Sequence, residues 1–149
     1  ALAPASFDTD GLTAERVVGF QDRDGIIAYT DDVKPDNLGL VVDGGGNPIT
    51  TGSKGYRIVP FDCTITGWTI LADVSGSVVV DVKKCDYAGF PTTTSIAGTE
   101  KPTLSSDIKN QNNALTDWII AVTAGDILEF VIDSASTITR LTLSLNITK

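Results

Sequence analysis

After residue 55 the chain alternates hydrophobic and polar residues, which is the pattern of strands that bury one face. The clearest run is the last one, whose apolar positions are Leu141, Leu143, Leu145 and Ile147. Another run places Leu128, Phe130 and Ile132 on one side. Further strands are predicted at residues 56–61, 63–72, 77–84 and 118–123. Several short strands with turn signals between them predict an all-β fold, an antiparallel, jelly-roll-like β-sandwich with Trp68 and Trp118 in its core.

The connection after Pro102 has a different pattern. Ser105 is suited to cap a helix at its N-terminus, and residues 105–111 can form one or two turns. We therefore expect a short helix in an otherwise all-β chain.

The two cysteines, Cys63 and Cys85, flank a predicted hairpin whose turn is Asp73-Val74-Ser75-Gly76. If Ile70 faces Val78 across this turn, the same register places Cys63 opposite Cys85. In this register one apolar face is formed by Trp68, Ile70, Val78 and Val80. A disulfide is possible where such a pair has suitable geometry, whereas a bulge at Gly67 would break the register. Spacing alone leaves both states open.

Near the N-terminus, two short extended runs at residues 16–20 and 26–30 are joined by a polar turn that contains Gly25. Their apolar residues are too few to close a core within one chain, because a single small hairpin is marginal alone. We expect them to pack against other copies of the chain through Val17, Val18, Phe20, Ile26, Ile27 and Tyr29.

A glycine-rich segment, Asp43-Gly44-Gly45-Gly46-Asn47-Pro48, follows this region. It lacks the Lys-Ser/Thr of a phosphate-binding loop, and Pro48 interrupts any strand, so the pattern indicates a flexible joint. The sequence therefore predicts an N-terminal stem segment at residues 1–50 and a β-sandwich head at residues 51–149.

Composition excludes several classes of function. The chain has 149 residues and a formal net charge of −8, which disfavours nucleic-acid partners because like charges repel. It contains no His, which removes the commonest general base and zinc ligand. No apolar run approaches the ~18 residues that a membrane span needs, so no membrane insertion is expected. The chain also lacks Met, which we interpret as processing or excision from a longer polypeptide.

The acidic residues give weak signals for metal binding and catalysis. Asp8-x-Asp10-Gly11 and Asp22-x-Asp24-Gly25 imitate the start of a calcium loop, but neither is followed by Glu at the twelfth position. Asp86 and Asp117 are carboxylates beside aromatic residues, and glycosidic cleavage needs a carboxylate pair with one acid held protonated. We therefore expect no metal, no cofactor and no enzymatic activity.

The loop after Cys85 is the strongest candidate for a binding surface. It combines aromatic side chains with Gly, Pro and hydroxyl residues, a composition that suits sugar stacking or protein docking. The predicted contact residues are Asp86, Tyr87, Phe90, Thr92 and Thr93. The alternative is that both aromatic rings tuck under the loop and cap the end of the sandwich.

Two parts of the chain resemble proteins of bacteriophage virions. The first part resembles a segment found repeatedly in tail fibres and related appendages. It reads Leu12-Thr13-Ala14-x-Arg16, followed by Phe20-x-Asp22-x-x-Gly25-x-x-Ala28-x-Thr30-x-Asp32-Val33. The second part resembles a domain at the C-termini of predicted phage tail proteins. It begins with Lys54-Gly55-Tyr56-x-x-Val59-Pro60-Phe61-x-Cys63 and continues through Tyr87-Ala88-x-Phe90-Pro91 to Val131-x-Asp133-Ser134-Ala135.

The resemblance implies a distal fragment of a tail fibre or receptor-binding appendage, located in the virion and assembled in the host cytoplasm. The reducing cytoplasm argues against the disulfide. The implied assembly is a homotrimer that contacts other virion proteins and binds a bacterial surface polysaccharide or an outer-membrane protein. The alternatives are a capsid decoration or head-fibre protein and a capsule-degrading tail depolymerase.

Overall fold

A computed structural model describes residues 35–149 of the chain. All regular structure in this part is β-strand, which confirms the predicted all-β fold. Within these residues we find no helix that is long and apolar enough to cross a membrane. The strands are β1 (Pro35–Asp43), β2 (Gly52–Ile58), β3 (Cys63–Cys85), β4 (Thr94–Ser95), β5 (Thr103–Asn112), β6 (Ala121–Val122), β7 (Ile127–Ser136) and β8 (Arg140–Thr148).

Strand β3 organises the sheet, because 23 residues make it long enough to serve two sets of partners. The first part of β3 pairs antiparallel with β8, and the second part pairs antiparallel with β7. Strand β5 pairs with both parts of β3 along its other edge. The order is β1-β8-β3-β7-β2. Between the two parts β3 bends at residues 73–76, so the sheet curls over its own core. We call its two sides the β1–β8 half and the β2–β7 half.

The buried positions follow the predicted alternation. The inward side chains of β8 and β7 are the ones expected, and both tryptophans are buried; these residues are Leu141, Leu143, Leu145, Ile147, Leu128, Phe130, Ile132, Trp68 and Trp118. One contiguous cluster joins them to the inward residues of β3. Burial of apolar surface, at about 25 cal/mol per Å², therefore supplies the main stabilisation of both halves.

The predicted hairpin at residues 73–76 is wrong, because β3 runs through these residues as one bent strand. Its partners are distant strands, so Cys63 pairs with Val122 and Cys85 with Ile127. Both cysteines are free thiols, and the possible disulfide is not formed. The predicted apolar face is nevertheless buried, since Trp68 and Ile70 before the bend and Val78 and Val80 after it all face the core.

The expected helix at residues 105–111 is also wrong, because this segment is part of β5. It is rich in Ser, Asp and Asn, which have low helix propensity, and pairing with β3 outweighs the capping signal. Ser106 adopts a left-handed φ of 53°, and its N–H donates to the Ser77 hydroxyl at 3.1 Å. The register with β3 shifts in this region, which lets β5 follow the bend.

Residues 35–50 form part of the sandwich. Strand β1 pairs with β8 over its whole length, and Leu38 and Ile49 are buried in the core cluster. The glycine-rich segment is a turn fastened to the chain before β8, since the Gly44 N–H donates to the Thr139 carbonyl at 2.7 Å. The boundary proposed between residues 50 and 51 thus falls inside the sandwich. Residues 1–34, on which the stem prediction rests, lie outside the described residues.

At the bend of β3, the Asp73 carboxylate ties the strand to the connection before β8. It accepts hydrogen bonds from the N–H groups of Thr139 and Arg140, at 3.2 and 3.0 Å, and from the Thr139 hydroxyl. Because the Thr139 hydroxyl and the Arg140 N–H stabilise the charged form, the pKa of Asp73 is lowered from 3.8 to about 2.

This lowered pKa predicts a loss of stability in acid. The folded-state pKa of Asp73 lies below its unfolded value, so its contribution is complete above pH 3.8 and is lost as the pH falls through about 2. We expect Asp73→Asn to reduce the pH dependence of the urea midpoint between pH 4 and pH 2, relative to wild type. Asp107→Asn, which removes an exposed carboxylate from β5, serves as the control. Equal slopes for all three proteins would contradict this assignment.

Candidate functional site

The loop at residues 86–93 presents aromatic surface to solvent. Tyr87 is 87% exposed and Phe90 is 44% exposed, so the tyrosine ring does not tuck under the loop. Asp86 and Thr92 are exposed as well, and Thr93 is half-buried. The structure therefore brings all five predicted contact residues together on one loop, with Tyr87 as its most prominent side chain.

Hydrogen bonds within the loop fix the position of Tyr87. The Gly89 N–H donates to Asp86 Oδ1 at 2.6 Å, and the Thr92 N–H donates to the Gly89 carbonyl at 2.9 Å. The Phe90–Pro91 peptide bond is cis. A loop that is held by hydrogen bonds before binding loses less conformational entropy when a ligand arrives, so the two hydrogen bonds would favour recognition.

Two contacts anchor the loop to the outer face of the β2–β7 half. The Phe90 ring meets the Tyr56 ring of β2 edge to face, with centroids 5.1 Å apart and planes at 75°. The Thr93 hydroxyl donates to Glu129 on β7. Tyr56 and Glu129 are themselves cross-strand partners, so both anchors lie in one row of the sheet.

This face also carries fixed charges. Burial raises the pKa of Glu129, but hydrogen bonds from Thr93 and Ser53 and the charge of Lys83 outweigh it and hold the pKa below its ordinary value. Further along the face, Lys101 Nζ lies 3.1 Å from Asp81 and 2.7 Å from Asp133. The hydrogen bond to Asp133 raises the pKa of Lys101. Both groups remain charged near neutral pH.

The carboxylates considered for catalysis occupy other environments. Asp117 accepts hydrogen bonds from the Thr99 N–H and hydroxyl at 2.7 and 2.8 Å, and these bonds lower its pKa. A general acid for glycosidic cleavage needs the opposite shift. Asp86 is exposed and is used by the loop itself. Asp117 is therefore not held protonated.

Several sequence predictions concern parts of the chain that the structure leaves out. The proposed contacts between copies at Val17, Val18, Phe20, Ile26, Ile27 and Tyr29 precede residue 35, as do both calcium-like motifs. Among residues 35–149, no group of three or more Cys, Asp or Glu side chains is placed to hold a metal ion.

Two depressions lie away from the loop. One depression of about 260 Å³ is lined by residues of β1 and β8 and by Arg57 of β2, and another of about 390 Å³ lies beside the turn after β1. Neither of these two depressions includes a residue of the loop. Sequence reasoning missed Tyr56 and Glu129, because no local signal links them to residues 86–93.

No protein-family model and no curated protein matches the sequence. Solved structures with detectable similarity include the SPBc2 prophage-derived protein YomS, at 12% identity and a TM-score of 0.40, with 84% of this chain and 100% of that chain covered. Another is the structure of infectious bursal disease virus Gx strain, at 12% identity and a TM-score of 0.36, with 89% of this chain and 37% of that chain covered. TM-scores this low establish neither a shared fold nor a shared function.

Proposed function

We propose that the chain is a structural virion protein of a bacteriophage tail fibre and attaches the virion to the host cell through its β-sandwich. The observation that carries this proposal is the exposed Tyr87 on a loop braced by its own hydrogen bonds and by the Phe90–Tyr56 contact. The resemblance of residues 12–33 and 54–135 to phage tail sequences supports the location in the virion. The proposed role needs no cofactor and no catalysis.

The loop chemistry suits a ligand that has both an apolar face and many hydroxyl groups. The Tyr87 ring offers a flat apolar surface, while Asp86 and Thr92 offer hydrogen-bonding groups beside it. A bacterial surface polysaccharide has this character, and an outer-membrane protein is the alternative receptor. One such open site is weak, and a trimer would raise the strength of attachment through avidity.

Cell binding tests the proposal. We expect Tyr87→Ala to weaken binding of the labelled full chain to intact host bacteria by about 5- to 30-fold, because a central aromatic contact contributes about 1–2 kcal/mol. Ile58→Ala removes an exposed apolar side chain from β2 and is the control. Flow cytometry across a concentration series gives the apparent affinities, and cells stripped of surface glycan separate the two receptor classes.

Two results would overturn this function. If Tyr87→Ala binds cells as tightly as wild type, the loop is not the attachment surface. If antibodies against the chain label the heads of intact virions and leave the tails unlabelled, the chain is a capsid decoration or head-fibre protein.

A further inference from the structure

Strands β1 and β2 form the two edges of the sheet and approach each other where the sheet curls. A Cβ built on Gly55 of β2 would lie 3.6 Å from Leu40 Cδ1 of β1, so the leucine side chain lies against the backbone of β2. The depression of about 260 Å³ lies where these edges meet, because its lining combines residues of β1 and β8 with Arg57 of β2. We call it the edge depression.

Arg57 supplies the positive charge of the edge depression. It is in register with Leu128, which is fully buried, so its side chain leaves β2 on the side that faces the β1–β8 half. Its residue is nevertheless exposed. The ion pairs of residues 35–149 use Lys84, Lys101 and Arg140, and none of them includes Arg57. The guanidinium is therefore available to an anion from outside.

The rest of the lining is uncharged. Asn37, Thr142 and Ser144 contribute an amide and two hydroxyl groups, and Val41, which is 60% exposed, contributes an aliphatic surface. Between them Gly39 keeps the floor flat, because a Cβ there would lie 2.7 Å from a carbonyl oxygen of β8. One cation thus lies beside several hydrogen-bonding groups and a small apolar surface.

Acidic residues occur close to the edge depression but do not line it. Asp43 lies 3.1 Å from the Arg140 Nε atom, which compensates its charge. Asp73 accepts hydrogen bonds from backbone N–H groups, including that of Arg140. Asp36 alternates to the other side of β1. Inside the depression, Arg57 is therefore the group that decides which charge is attracted.

We propose that the edge depression binds an acidic sugar residue of a polysaccharide, with the sugar carboxylate on Arg57. A guanidinium matches a carboxylate with two parallel hydrogen bonds, which gives both strength and orientation. Sugar hydroxyl groups can bond to Thr142 and Ser144, and the apolar side of the ring can lie on Val41. A small inorganic anion would use the arginine but leave the remaining polar groups without partners.

This site is separate from the loop at residues 86–93, none of whose residues lines the depression. It also adds a selectivity that the loop chemistry does not have, because it distinguishes a charged sugar from a neutral one. Purified saccharides can test it without host cells. Its failure and the failure of the attachment proposed for Tyr87 are therefore distinguishable.

An NMR titration of the ¹⁵N-labelled full chain with trigalacturonate tests the proposal. We expect the amide signals of Gly39, Val41 and Ser144 and the Nε–H signal of Arg57 to shift. The methyl ester of the same trisaccharide keeps the rings but removes the charge, and we expect it to bind about tenfold more weakly, because charge-assisted hydrogen bonds are roughly twice as strong as neutral ones.

Variants assign the selectivity to Arg57. Arg57→Gln should lower the affinity for trigalacturonate to that of the ester, and Arg57→Lys should restore part of the difference, since lysine keeps the charge but loses the planar fork. Lys109→Gln removes an exposed cation of β5 that does not line the depression and is the control, with unchanged affinity.

Four results would overturn the assignment. The first is equal binding of acid and ester, and the second is full affinity in Arg57→Gln. The third is a set of shifts confined to residues 86–93, or the same shifts with inorganic phosphate at equal ionic strength. The fourth is no shift at about 10 mM trigalacturonate, where a site of millimolar affinity is nearly saturated.

Discussion

Replacement of Phe130 by Ala is expected to lower the free energy of unfolding by about 3–5 kcal/mol, the range for removing a large side chain from a protein core. Phe130 is 1% exposed in the middle of β7 and is among the largest fully buried side chains of the described residues. Its neighbours across the ladder are Val82 of β3 and Gly55 of β2. The loss combines the transfer free energy of the ring with the cavity left behind.

Phe90→Ala is the matched control for this experiment. The same atoms are removed, but from a ring that is 44% exposed and whose main described contact is Tyr56. We expect a cost of about 1 kcal/mol, the value of an edge-to-face aromatic pair. Urea denaturation followed by tryptophan fluorescence measures both variants. A cost for Phe130→Ala no greater than that for Phe90→Ala would mean that β7 does not form the centre of the core.

Replacement of Gly76 by Ala is expected to cost about 2–3 kcal/mol, and by Val still more, because the added atoms overpack a closed site. A Cβ at this position would contact the Thr137 hydroxyl and would lie 2.5 Å from the Ser136 carbonyl oxygen and 2.6 Å from Ile138 Cγ1. The φ of Gly76 is outside the left-handed region, so the cost is steric. Gly76 therefore lets the bend of β3 approach the connection between β7 and β8.

Gly45→Ala separates this steric effect from backbone strain. Gly45 has a left-handed φ of 64° and nothing within 4 Å of its Cβ position, so alanine there costs about 1 kcal/mol through strain alone. Thermal and urea unfolding of the two alanine variants should therefore rank Gly76→Ala as the less stable. The reverse ranking would show that the bend can move away from residues 136–138.

The side-chain pattern predicted which residues are buried. In β8 and in residues 128–132 of β7 every second residue faces the core, and a period of two can be recognised without knowing the partner strand. The same reasoning placed Ile70 and Val78 correctly, although their partners were wrong. Burial depends on the local pattern, whereas pairing depends on strands that are distant in sequence.

The errors have local causes that only the three-dimensional structure shows. Residues 73–76 have the composition of a turn. In the structure, however, a glycine is needed at position 76 because residues 136–138 leave no space for a side chain there. The capping signal of Ser105 has no effect, because β5 pairs with β3 on both sides of the bend. In both places tertiary contacts outweigh a local preference.

In the candidate loop, too, the local composition was informative and the tertiary contacts were not predictable. Its composition predicted a binding surface, and Tyr87 is indeed in solvent. Two contacts could not be predicted, that of Phe90 with Tyr56 and that of Thr93 with Glu129. Each joins the loop to a strand that is distant in sequence. The sequence thus indicated the chemistry of the loop and gave no information on what positions it.

The pairing of β1 with β8 limits when the β1–β8 half of the sheet can close during synthesis. Thr148 is the partner of Pro35, so β1 stays without its neighbour until the ribosome has released nearly all of β8. Closure of such long-range contacts is slow compared with local structure formation. The β1–β8 half is complete only after this step. A partner that recognises residues of both strands can therefore bind only after the chain has folded this far.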